Sequence, residues 1–311
     1  MSILDRIGET PLVPLRTFSQ PGARVWVKCE HLNPAGSVKD RIARSIVDDA
    51  RARGVLAPGS TLVEATAGNT GIGLAMVAAV HGYRLACVMP EKMSVDKRVR
   101  LQAMGAEVII TPNAPPSDPR HFQHVARALA AERGWFLTDQ FENPANILAH
   151  EHGTGPELLA QAHGPIAAFV AGAGTGGTLT GVARCFAAHG CDAQIVLADP
   201  EGSALADVVR TGALGPDGSY LVEGIGGSIV PKNLDVTLLH RAEVVSDAES
   251  FATARLLIRD EGLFVGGSSG TAVAAALRVA AELPRDAIVV ALLADGMDRY
   301  ASLPWLLESP S

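Results

Sequence analysis

The chain has 311 residues, 48% of them hydrophobic and 32 of them glycine, which is enough for about two domains with substantial cores and excludes disorder. A formal net charge of −7 with no dense Lys/Arg run argues against nucleic acid as the principal partner. No apolar run reaches the roughly 18 residues of a membrane span, and the start Met1-Ser2-Ile3-Leu4-Asp5-Arg6 lacks the order of a signal peptide, so a cytoplasmic protein away from membranes is expected.

From about residue 60 onward, short apolar or β-branched runs alternate with longer helical patterns, which predicts an α/β protein with open, mainly parallel sheet covered by helices. Strands are predicted at 61–64, 84–89, 107–110, 167–171, 194–198 and 287–293. Helices are predicted near 40–53, 70–81, 146–161, 178–188 and 248–261, with Ser94 capping a further helix that Gly105 ends. The Pro-rich stretch 113–119 reads as a surface loop and 308–311 as a frayed tail. Asn143-Pro144 marks a candidate domain break at 140–146. Cys29, Cys87, Cys185 and Cys191 form no CxxC pair and read as reduced, mostly buried thiols, so no metal site is indicated.

Three loops carry the chemical signal. Lysine is scarce, with only Lys28, Lys39, Lys92, Lys97 and Lys232 present. Lys39 alone follows a turn-forming stretch, Asn33-Pro34-Ala35-Gly36-Ser37-Val38, that delivers it into the first turn of a helix. There the helix dipole disfavours an ammonium ion and favours the neutral amine needed for Schiff-base chemistry. Taken alone, Lys39 reads first as a solvated surface lysine, and it is the two further loops that overturn that reading. Thr66-Ala67-Gly68-Asn69-Thr70-Gly71 lies between a strand and an apolar helix, where N–H groups and hydroxyls suit a carboxylate, or where the hydroxyls simply cap the helix. Gly172-Ala173-Gly174-Thr175-Gly176-Gly177-Thr178 has the make-up of a phosphate cradle. It also spells GxGxxG, with Asp192 and Asp199 about twenty residues on, but it follows several strand-helix units rather than the first strand of a dinucleotide fold. Gly266-Gly267-Ser268-Ser269-Gly270 opens an Ala-rich helix and offers a hydroxyl to a heterocyclic nitrogen, or is a capped turn.

At these loops the chain resembles the fold-type II pyridoxal-phosphate enzymes of the cysteine synthase and cystathionine β-synthase family, from Ile7-Gly8-Glu9-Thr10-Pro11-Leu12 to Asp295-Gly296-Met297-Asp298-Arg299-Tyr300. The resemblance implies a tryptophan synthase β-like fold of two α/β domains, a smaller mobile one at 40–145 and a larger cofactor-binding one made of 1–39 and 146–311, with the active site in the cleft between them. It implies that Lys39 bears pyridoxal phosphate as an internal aldimine and shuttles the α-proton, that Asn69 bonds the phenolic oxygen, that Gly174, Thr175, Gly176, Gly177 and Thr178 bind the phosphate, and that Ser268 faces the pyridine nitrogen. Thr66, Ala67, Gly68, Thr70 and Gln140 would surround the substrate carboxylate, and Gly224, in Glu223-Gly224-Ile225-Gly226, would stand at the cleft mouth.

The activity implied is β-replacement on O-acetylserine or serine through an aminoacrylate, giving cysteine with sulfide or cystathionine with homocysteine. A homodimer is implied, and neither a haem-bearing extension nor a C-terminal regulatory module is expected. A hydroxyl opposite the ring nitrogen, unlike a carboxylate, does not hold it protonated, which favours expulsion of a β-substituent over a long-lived carbanion. A serine/threonine dehydratase and a silent binding protein on the same fold are the alternatives. The chain departs from the usual cysteine synthase spelling at Ala65 and Ala67, where proline and serine are common, and at Ala294-Asp295-Gly296; the Thr-Ala-Gly-Asn-Thr-Gly spelling is similar to bacterial cystathionine-forming members. His150 and His152 flank Glu151 on different helix faces and read as ordinary surface histidines. Asp295 reads as an orienting, capping or ion-pairing carboxylate.

Overall fold

Alternation of β-branched runs and longer apolar-faced segments produces alternating strands and helices in the computed structural model, which describes residues 1–18 and 22–307. The expected tail at 308–311 lies outside the described residues. Strands β1 (Leu12–Pro14) and β2 (Arg24–Cys29) lead to helix α1 (Lys39–Ala52), followed by β3 (Thr61–Ala65), α2 (Asn69–His81), β4 (Arg84–Pro90), α3 (Val95–Ala103), β5 (Glu107–Thr111), α4 (Phe122–Arg133) and β6 (Phe136–Leu137). The chain continues through α5 (Ala145–Ala149), α6 (Gly155–Gln161), β7 (Ile166–Ala171), α7 (Gly177–Ala188), β8 (Gln194–Pro200), α8 (Leu205–Thr211), β9 (Arg241–Val245), α9 (Asp247–Leu256), α10 (Gly267–Ala281) and β10 (Ile288–Leu293). The predicted helix at 146–161 is interrupted by a π turn at His150–Thr154, and the one at 248–261 ends in another at Leu257–Glu261.

Contacts divide the chain into two compact units, Met1–Ile7 with Lys39–Asn146, and Gly8–Val38 with Ile147–Ser311. Met1–Ile7 and Lys39 therefore group with the first unit rather than with the larger one. Burial explains the N-terminal part of this: Leu4 packs in the first unit's core, and its carbonyl accepts from Arg44 Nη1 at 2.9 Å.

In the first unit the sheet order is β5-β4-β3-β6, all parallel. Every residue of β3 is buried, as a strand covered on both faces requires. Leu62, Cys87 and Met89 point into one cluster with Ala43, Val47, Leu74 and Val77 of α1 and α2, while Val63, Ala65 and Val88 meet Ala126 of α4 on the other face. In the second unit the order is β1-β2-β10-β7-β8-β9, with only β1 antiparallel. Val25, Val170, Val196 and Val289 pack under the Ala-rich α10, and the opposite face carries Phe169 against Phe186 of α7. The chain leaves β7 for β8 on one side and returns to β10 on the other. That makes the carboxyl end of β7 the switch point at which open α/β sheets bind ligands.

Candidate active site

Among the α-helices of the described residues, a glycine N-cap marks the three loops. Ser94 and Ser246 accept hydrogen bonds from Lys97 N and Glu249 N and so cap α3 and α9. By contrast α2, α7 and α10 have Gly68, Gly176 and Gly266 as N-caps, with no side-chain cap. The hydroxyls expected as possible caps are therefore used otherwise: Thr66 Oγ1 accepts from Gly68 N at 3.1 Å, ahead of the helix. A glycine-headed helix start leaves first-turn N–H groups and the positive end of the dipole for an anion.

In the first unit, Lys39 is the first residue of α1 and is half-buried. Asn69 opens α2, and buried Thr70 beside it donates its hydroxyl to Gln140 Oε1 at 2.6 Å. Thr66 and Gly68 are thus paired within the turn, and Thr70 is paired with Gln140, seventy positions away, by a hydrogen bond that no local pattern reveals. Ala67 lies half-buried in the same turn.

In the second unit, Gly174, Thr175, Gly176, Gly177 and Thr178 form the β7-to-α7 turn at the switch point. The loop at 223–226 packs directly on it: Gly226 N donates to Ala173 O at 2.9 Å, and a Cβ at Gly174 would stand 2.4 Å from Gly224 O. Gly176 has φ +84°, and a Cβ there would strike Leu234, so neither glycine tolerates a side chain. Ser268 lies buried in the first turn of α10, whose start is tied to the carboxyl end of β10 by Gly266 N donating to Asp295 O at 3.1 Å. The segment leading into Lys39 reaches the same edge, where Val38 N donates to Ala294 O at 2.8 Å and Ser37 bridges Asp295.

The structure corrects one residue reading and reassigns another. His150 is buried rather than on the surface; its Nδ1 lies 2.9 Å from Thr154 Oγ1 and its Nε2 3.1 Å from Thr178 Oγ1, in the first turn of α7. The π turn that carries it is invisible in residue type; His152 is exposed. Asp199, offered by spacing as a ribose ligand, is buried and accepts from Ala206 N at 2.8 Å at the start of α8, while burial lifts its carboxyl to about 6. Asp295 accepts from Tyr300 Oη at 2.7 Å, and burial followed by this carboxylate holds the Tyr300 phenol well above its usual range. Burial pushes the Cys29 and Cys87 thiols up to about 12, which removes them as nucleophiles. Among the described residues no group of three or more His, Cys, Asp or Glu could hold a metal, and no helix is long and apolar enough to cross a membrane.

A turn whose Gly174 and Gly176 admit no Cβ, at a switch point and heading a helix without a side-chain cap, fits a phosphate or another small anion. A family model described as "pyridoxal-phosphate dependent enzyme" matches residues 3–295. Cystathionine β-synthase of Apis mellifera is 44% identical over 303 residues, which are 96% of this chain and 60% of that protein, so the chain spans about three fifths of this relative's length. A cysteine synthase of Staphylococcus aureus is 41% identical over 305 residues, covering 97% of this chain and 96% of the relative. A solved structure of O-ureido-L-serine synthase superposes with a TM-score of 0.90 at 38% identity over 100% of this chain and 96% of that one. The chain belongs to the pyridoxal-phosphate dependent enzyme family. Pyridoxal phosphate is accordingly its cofactor, and the two parallel-sheet units are the family's fold.

Proposed function

We propose that the chain catalyses β-replacement on O-acetylserine or serine, with a thiol acceptor: sulfide to form cysteine, or homocysteine to form cystathionine. The observation that carries this reading is the coverage of 97% of this chain and 96% of a cysteine synthase in one alignment, which includes each of the three uncapped glycine-headed loops. When bound, the cofactor supplies an electron-withdrawing ring conjugated to the α-carbon, which makes the α-proton removable and a β-substituent expellable.

In this reading Lys39 Nζ anchors the cofactor and then takes and returns the α-proton. The N–H groups of residues 174–178 and the Thr175 and Thr178 hydroxyls hold the phosphate. Asn69 donates to the ring's phenolic oxygen, and the Ser268 hydroxyl meets the ring nitrogen without delivering a full charge. Thr66, Gly68, Thr70 and Gln140 grip the substrate carboxylate, Ala67 leaves a small space where a hydroxyl is common, and Gly224 lies on the loop packed against the phosphate turn. A homodimer in the cytosol belongs to the same reading on the family resemblance, and light scattering tests the dimer.

The test is a donor and acceptor screen of the holoenzyme: O-acetylserine, O-phosphoserine and serine, each followed by sulfide or homocysteine, with products identified by mass spectrometry. Cysteine or cystathionine formation that depends on the thiol is expected. Keto-acid release that outpaces replacement would assign a dehydratase instead, and cofactor binding without turnover of any donor would leave a binding protein.

A further inference from the structure

Between Thr138 and Gln140 the backbone takes an uncommon form. Asp139 has φ +45°, in the left-handed region that costs a non-glycine residue energy unless its surroundings enforce it. Several groups enforce it here. Asn143 Nδ2 donates to Thr138 O at 3.0 Å, Asn146 Nδ2 donates to Gln140 O at 2.7 Å, and the Asp139 carbonyl accepts from Glu142 N and Asn143 N at 3.0 and 2.8 Å. From the sheet side a single buried carboxyl closes the turn: Glu64 Oε2 accepts from the Thr138 hydroxyl and from Gln140 N, the latter at 3.1 Å, while its Oε1 accepts from Ala65 N at 3.0 Å. Glu64 is 1% exposed and Thr138 is fully buried, in the middle of an apolar core. A charge-capable group at such a position is expensive and is retained where its hydrogen bonds are needed.

These bonds fix the backbone of Gln140, whose carboxamide takes the Thr70 hydroxyl at the start of α2. We propose that Glu64 is a positioning residue: in its ionised form it holds the left-handed 138–140 turn so that Gln140 stays locked on Thr70, and its protonation loosens that pair and weakens capture of an amino acid's carboxylate. The inference rests on the reading of Thr66, Thr70 and Gln140 as the carboxylate site. Two alternative bonding states exist in the geometry itself, because the Thr138 hydroxyl also lies 3.2 Å from Val63 O and can donate there once Glu64 carries its own proton. Gln140 N then faces a neutral acceptor in place of a carboxylate, a weaker hydrogen bond.

The groups around Glu64 bias its proton. Burial dominates and raises the carboxyl to about 7, against the lowering effect of the Thr138 and Gln140 bonds. Asp139, itself ion-paired at 3.5 Å with Arg127 of α4, adds repulsion from the turn, and Arg127 also binds Glu142. On β4 the register partner is Cys87, which stays a neutral thiol; β6 offers no ionisable side chain, and α2 offers only His81 at its far end. The buried Asp40 and Arg41 belong to α1, which packs on α2.

The experiment measures binding of L-alanine, which has an α-carboxylate and no β-leaving group, to wild-type and Glu64→Gln holoenzyme by cofactor absorbance from pH 5.5 to 8.5. Deprotonation of the alanine amine affects both proteins alike and cancels in the ratio of dissociation constants. That ratio is expected to be about tenfold at pH 8.5, the scale of one lost charged hydrogen bond, and to approach unity at pH 5.5. A ratio that does not change with pH, whatever its size, overturns the proposal, since a merely structural role would not follow the proton. Thr138→Val, which removes one bond favouring the ionised form, is expected to move the midpoint of the pH dependence upward by about one unit; an unmoved midpoint is also contrary. Gln140→Ala and Thr70→Val serve as the separate check on the underlying reading: if both bind L-alanine like wild type, the carboxylate site lies elsewhere, and that failure is distinct from a flat Glu64 ratio.

Discussion

Gly174→Ala places one methyl group where the turn proposed to hold the phosphate has no room for it. The new Cβ would stand 2.4 Å from Gly224 O, a backbone atom with no rotamer to yield. Nor can the 223–226 loop swing aside freely, because Gly226 N is bonded to Ala173 O immediately before the substituted residue. Either the two loops part and lose that bond, or the 174–178 N–H groups rotate from their aim. Relief of overpacking of this kind costs about 1 to 3 kcal/mol, which corresponds to roughly 5- to 150-fold weaker binding of the anion proposed to sit in the turn. Titration of the apoenzyme with pyridoxal phosphate, followed by absorbance, measures it directly. Gly190→Ala is the control, since nothing lies within 4 Å of its Cβ position at the end of α7 and only its φ of +65° is strained; its cofactor affinity should equal that of wild type. Wild-type affinity in Gly174→Ala would refute the assignment of the turn as the phosphate cradle.

Stability should fall with rising pH through the Glu64 proton. Because burial raises this carboxyl from 4.5 to about 7 in the folded chain, its favourable contribution is complete below the unfolded value and is lost as the pH passes 7. Between pH 5 and 8 the wild type should therefore lose roughly 2 to 3 kcal/mol more unfolding free energy than Glu64→Gln in urea titrations, and parallel losses would count against a buried titrating Glu64. Lys28 is wholly buried and depends on Glu157 at 2.6 Å, with Thr10 O and Gln161 Oε1 as further acceptors. Glu157→Gln leaves that ammonium short of its charge partner and should destabilise the protein by about 3 kcal/mol, whereas the double variant with Lys28→Met should recover most of the loss in thermal unfolding.

Much of the fold was legible because the core strands β3, β4, β5, β7, β8 and β10 are short apolar runs bounded by turn residues, and the observed ends differ from the predicted ones by a residue or two. Strand β2 was hidden by Arg24 and Lys28. Lysine breaks the apolar pattern, and contacts with Thr10, Glu157 and Gln161, distant in sequence, help it to be buried. Strands β1, β6 and β9 are short or lie at sheet edges, where burial is partial and the pattern weak. At the candidate site the glycine-headed loops were visible as spelling, since backbone approach needs glycine wherever it occurs in the chain. What spelling could not show is the buried support behind them. Glu64 reads as the charged last residue of a strand, and His150 as a surface histidine until a π turn aims it at Thr178. Each owes its place to tertiary contacts with residues scattered along the chain.

In the proposed chemistry Lys39, one of five lysines, anchors the cofactor. Borohydride reduction of the holoenzyme followed by peptide mass spectrometry tests it most directly, because reduction makes any lysine-cofactor attachment permanent. A pyridoxyl-phosphate mass increment is expected on the peptide containing Lys39, and none after Lys39→Ala. An increment on Lys28, Lys92, Lys97 or Lys232 instead, or none on any lysine of a cofactor-loaded protein, would contradict it.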